Sequence, residues 1–152
     1  ANSWFGGSIT GAVSIVKLGT GNLALTNRFT TTSGHFTVSN GTLTAAHFGT
    51  FGPNSTNIVV GGTGTLLLSN SVAIADSAVL KMPAAGTSSA KVSLASGVNE
   101  AVGWLFYGGK MMRGGTYGST DSPAEHKDNT HFAGSGVLTV LHDQAGLIFF
   151  LR

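Results

Sequence analysis

Short alternating segments, each ended by turn residues, dominate the first two thirds of the chain. In Val13-Ser14-Ile15-Val16-Lys17-Leu18, Val13 and Ile15 share one face of an extended backbone. Gly19-Thr20-Gly21-Asn22 then supplies a bend, and Leu23-Ala24-Leu25-Thr26 resumes the alternation. Lys17 is the one charge between Ser8 and Thr26, a stretch otherwise made of small, β-favouring and turn-forming residues. Phe36-Thr37-Val38 leads into Ser39-Asn40-Gly41, after which Thr42-Leu43-Thr44 continues. An Asn-Gly pair serves a hairpin or a corner between stacked strands equally well.

A phrase then returns. Residues 38–43 read VSNGTL and residues 60–66 read VGGTGTL, so that Gly41-Thr42-Leu43 recurs 23 residues later as Gly64-Thr65-Leu66. Looser echoes follow at 74–80 and 92–98. A period of about 20 to 30 residues is the mark of a solenoid, whose turns cannot bury their apolar faces alone and stack on one another. The pattern predicts an all-β, parallel β-solenoid of short rungs, with inward Val, Ile and Leu in ladders and Gly and Asn at corners. A β-sandwich or jelly roll, with turns every ~8 to 12 residues, fits the same strand lengths and stays open. One β domain spanning 1–152 is expected, divided into rungs over 8–96, a terminal module over 97–141 and an apolar tail over 142–152.

Composition sharpens the reading. Apolar residues make up 41% and charged residues 9%, and Glu occurs only at Glu100 and Glu125, so the surface lacks the residues that clothe helices. Sparse charge also gives weak protection against edge-to-edge strand pairing, which brings self-association into view. A net charge of +2 from singly scattered residues leaves no footprint for nucleic acid. Without cysteine there are no disulfides or thiolate metal sites. No apolar run approaches the ~18 residues of a membrane span. The start Ala1-Asn2-Ser3-Trp4 fits a mature exported protein whose signal peptide has been removed.

Four segments carry a family resemblance. They are Ile9-Thr10-Gly11, then residues 17–25 (KLGTGNLAL), then Thr31-Thr32-Ser33-Gly34, then residues 37–43 (TVSNGTL). In order and spacing they resemble the autotransporter-associated β-strand repeat of bacterial surface and secreted proteins. The segments 97–103, 108–109, 115–120 and 132–140 are similar to the terminal module often found with it. The resemblance implies an elongated, exported solenoid with a structural or adhesive role.

Candidate chemistry is concentrated late in the chain. Asp121, Glu125, His126, Asp128 and His131 could supply nitrogen and oxygen donors to zinc, and Asp121, Asp128 and Asn129 oxygen ligands to calcium. His126 and His131 are five apart and no HExxH occurs, so the loop reads first as solvated turn residues, with calcium ahead of zinc as the metal alternative and no cofactor expected. His35, His47 and His131 each precede a phenylalanine, which suggests an aromatic face only if the fold brings them together. Trp104 and Phe106 share one face of a strand and Tyr107 lies on the other. With Tyr117, these aromatics form either core packing or a platform for surface glycans. Asp76, Glu100 and Asp121 are the carboxylates from which a glycoside-cleaving pair could be drawn. No nucleophile elbow is present.

The tail Leu147-Ile148-Phe149-Phe150-Leu151 is a self-association candidate, since five consecutive large apolar residues template pairing when exposed. The expectation is a non-enzymatic, extracellular structural subunit or passenger that assembles with itself by ladder pairing, with fibres as one form of the assembly. A surface adhesin or carbohydrate-binding module is the first alternative, and a polysaccharide-degrading β-helix enzyme the second.

Overall fold

The computed structural model describes residues 1–26, 31–47 and 50–143. Among them there is no helix, and the strands coil into a parallel β-solenoid of about four turns. One face stacks Asn2–Phe5, Asn22–Leu25, the second halves of Phe36–Ala45 and Asn57–Leu68, then Lys91–Leu94 and Phe132–Ala133, all in parallel. A second face stacks Ile15–Lys17, the first halves of the same two long strands, Val79–Met82 and Trp104–Tyr107. Thr10–Gly11 and Thr31–Thr32 make a short third ladder. Parallel stacking with 20-odd residues between partners is what a sandwich of antiparallel sheets lacks, so the solenoid alternative holds.

Period-2 alternation points one set of side chains inward on every rung, and the register aligns like with like. Leu23, Leu43, Leu66, Val92 and Phe132 form one file. Leu25, Ala45, Leu68 and Leu94 form a second. Ile15, Phe36, Ile58, Leu80 and Leu105 form the third, on the other face. From Phe36 to Leu105 each member of this third file is wholly buried, and full burial of such a side chain contributes roughly 1.5–3 kcal/mol. Phe51 closes a corner by standing edge-on to Phe36, ring centroids 4.6 Å apart.

The repeated phrase marks a corner, not a hairpin. Gly41 lies directly over Gly64, and the register slips between Val38 and Asn40, where the later rung carries one residue more. That extra residue is a β-bulge. The Asn40 side chain uses the corner, its Oδ1 accepting from Gly41 N and from Thr63 Oγ1 one rung on.

The repeat ends in a different construction. Asn99–Val102, Val137–Val140, Gly115–Gly118 and His126–Lys127 form a mixed four-stranded sheet. Trp104–Tyr107 turns through Gly108 and Gly109, at φ 55° and 84°, into the antiparallel strand Lys110–Met111. Two positive φ values in a two-residue turn select the hairpin geometry that glycine adopts without strain. The hairpin closes the second face, because an antiparallel strand cannot begin another rung.

Candidate functional site

Between that hairpin and the four-stranded sheet lies an open cleft of about 940 Å³. The hairpin contributes Tyr107, Lys110 and Met111, with Met112 and Arg113 following it. Tyr117, His126, Lys127 and Asp128 come from the sheet and the turn after it. Asp143 is the last of the described lining residues. Tyr117 and His126 sit side by side on paired strands, rings 4.6 Å apart, and the Tyr117 hydroxyl donates to the Arg113 carbonyl at 2.8 Å. That bond fixes the chain as it leaves the hairpin. The Lys127 ammonium donates to the Ser122 carbonyl.

Behind the cleft a buried aromatic stack braces the wall. His131, 3% exposed, lies nearly parallel to Tyr107 with ring centroids 3.8 Å apart. Its Nδ1 is 2.7 Å from Asp128 Oδ2 and its Nε2 is 2.9 Å from the Pro83 carbonyl, so a polar contact holds the ring at each end. Asp128 Oδ1 accepts from the backbone N–H groups of Thr130 and His131. Burial pushes the Asp128 carboxyl up, but the His131 side-chain and backbone bonds outweigh it and hold the group below its ordinary value. The Tyr107 hydroxyl is buried without a hydrogen-bond partner, the nearby Asp128 acting on it through charge rather than through a well-formed bond. Burial first, and then that charge, push the phenol far above its usual range.

The metal candidates are therefore divided. Asp128 and His131 bind each other, His126 packs on Tyr117, and Asp121 is exposed with its backbone N–H on Ser119 Oγ. No group of three or more acidic or imidazole side chains converges among the described residues. The glycan candidates divide as well. Tyr107 and Tyr117 meet in the cleft, whereas Trp104 faces away and stacks on His142 at 4.6 Å. Lys110 and Arg113, on either side of the two methionines, are cleft residues that sequence reasoning missed. Their signal is the polar-apolar switch inside residues 108–115, GGKMMRGG, where paired glycines bracket both cations.

Of the carboxylates considered for hydrolysis, Asp76 and Asp121 are exposed and Glu100 is 0% exposed. Glu100 lies in Asn99–Val102, its oxygens accepting from Ala73 N at 2.8 Å and Ile74 N at 3.2 Å. Burial, with a smaller push from Asp76, raises this carboxyl to about 7 against the backbone bonds. It ties the terminal sheet to a loop of the preceding rung.

At the opposite end no described strand lies over the first rung. Asn2–Phe5, Thr10–Gly11 and Ile15–Lys17 each pair on one side only among the described residues. The rung also exposes large apolar groups, with Trp4 77%, Leu18 68%, Val16 56%, Val13 45% and Phe5 42% accessible. Phe5 is the end of an inward file, in register with Leu25. The self-association candidates Leu147, Ile148, Phe149, Phe150 and Leu151 lie outside the described residues. Searches of family models, of curated proteins and of solved structures find no match to this chain.

Proposed function

We propose that this chain is a non-enzymatic, extracellular structural solenoid of the autotransporter-associated repeat type, which associates with copies of itself. The observation that carries the reading is the apolar outer side of the first rung, which no described strand covers. Three strands with one unpaired side among the described residues, beside five exposed large apolar side chains, are the features that draw a second strand into register. The low surface charge supports it, because little repulsion opposes edge-to-edge approach. Contact between two first rungs pairs like with like and yields a closed two-fold dimer. Fibres need a second contact, for which the segment 147–151 is the candidate.

Light scattering of the full chain across a concentration series tests this. A dimer or larger assembly is expected, with Trp4→Asp combined with Leu18→Asp giving a folded monomer. Deleting residues 147–151 reduces fibres to dimers if the tail is the second contact. A chain that stays monomeric at every concentration overturns the reading, as does an assembly indifferent to both changes.

A further inference from the structure

We propose that the cleft at the closed end is a binding site for an acidic saccharide, a chain of uronate sugars. The inference stands apart from self-association, which uses the other end of the solenoid.

Charge points to an anion. Lys110, Arg113 and Lys127 face Asp128 and Asp143 around the opening, and Asp128 is taken up by the His131 ring at 2.7 Å. The Lys127 ammonium is turned onto the Ser122 carbonyl. Lys110 and Arg113 are exposed, and among the described residues no salt bridge or side-chain hydrogen bond engages either cationic group. Two uncommitted cations on one rim, one of them a planar fork suited to bidentate carboxylate recognition, form a paired donor site for carboxylates.

The lining points to a sugar. Met111, Met112 and the Tyr107 ring give apolar surface between the cations. Pyranose rings present apolar C–H faces alongside their polar groups, and such faces pack on aromatic rings and thioethers. At about 940 Å³ the cleft lies near the top of the roughly 300–1,000 Å³ range of small-molecule sites, far larger than a simple inorganic anion fills. Because it is open, a chain can enter and leave it without passing through a closed wall.

The Tyr107 ring is held for this task by its stack on His131, which in turn is clamped between Asp128 and the Pro83 carbonyl. One ring face is thereby occupied, which fixes the position of the ring edge at the cleft wall. This wall is rigid before any ligand arrives, and preorganisation lowers the cost of binding.

Isothermal titration of the full chain with a short oligogalacturonate tests the site, with a neutral galactose oligomer of equal length and a short polyglutamate as comparators. The oligogalacturonate is expected to bind, and the comparators to bind at least about tenfold more weakly. Lys110→Ala and Arg113→Ala are each expected to weaken binding about tenfold, with unchanged circular dichroism and melting temperature because both side chains are exposed. Affinity should also fall with added salt, as exposed ion pairs do. Lack of binding by the oligogalacturonate overturns the proposal. Equal affinity for the neutral oligomer or for polyglutamate, or indifference to both substitutions, overturns it too.

Discussion

The Lys17 ammonium donates to the carbonyl of Asn40 at 3.1 Å, across 23 residues of chain and onto the next rung. It also donates to the Leu18 and Gly19 carbonyls at 3.0 and 2.7 Å, and its residue is only 6% exposed. The first rung breaks at this corner into two strands, whereas the next two rungs pass through it as Phe36–Ala45 and Asn57–Leu68. The ammonium satisfies the carbonyls that the break releases.

Lys17→Met should therefore remove the ammonium donor from these three carbonyls at nearly constant volume. Bonds to a charged donor contribute roughly 1.5–3 kcal/mol, so a loss of about 2 kcal/mol in unfolding free energy is expected by urea titration. A change within experimental error would mean that water replaces the ammonium freely.

Gly41 and Gly97 both have positive φ, 65° and 79°, and separate two reasons for glycine. A methyl group on Gly41 would meet the Gly19 and Gly21 carbonyl oxygens at 2.4 and 2.5 Å, while one on Gly97 meets open space. Gly97→Ala should cost only the backbone term, about 1–2 kcal/mol. Gly41→Ala should cost clearly more, or prevent folding altogether, and equal losses by thermal melting would refute the stacked-corner geometry.

Glu100 supplies a pH dependence of opposite sign to that of ordinary surface carboxylates. Its folded value of about 7 exceeds the ordinary 4.5, so the native state binds the proton more tightly than the unfolded chain. Its contribution is most favourable below pH 4.5 and is lost as pH rises toward 7. The gap corresponds to about 3 kcal/mol. Denaturant melts at a series of pH values should show this decline, and Glu100→Gln should flatten it. A wild-type profile that rises through the same window would contradict the burial of this carboxyl.

Asp128 acts in the other direction. Its folded value lies below the ordinary 3.8, so its pairing with His131 stabilises the fold above that pH and is lost as pH falls further. Asp128→Asn should lower stability at neutral pH by about 2 kcal/mol, since His131 loses a charged acceptor in a buried position. The variant should also show a shallower acid limb, and an unchanged one would remove Asp128 from the account.

The ladders were legible in the sequence because stacking repeats its demands at each rung. Gly41 and Gly64, aligned by reading alone, are in register, and the unequal phrases VSNGTL and VGGTGTL differ by the residue that becomes the bulge. The alternation within Trp104-Leu105-Phe106-Tyr107 likewise put Trp104 and Tyr107 on opposite faces, as they are. The cleft was not legible as one site. Tyr107 meets His131 only because the antiparallel hairpin and Phe132–Ala133 return to neighbouring positions, and no periodicity encodes that return. Lys17 was visible as a solitary charge, but its burial depends on carbonyls turned inward at a corner, and those carry no side-chain signature.

The bulge between Val38 and Asn40 gives the solenoid a place to absorb insertions. On a flat face one added residue would reverse every later side chain, sending the Leu66 and Leu68 files into water. At the corner the extra length loops outward, and Leu43 still meets Leu66. Length variation between repeats can thus accumulate at corners while the files inside stay unbroken, so that the chain's drift in period is compatible with a continuous core.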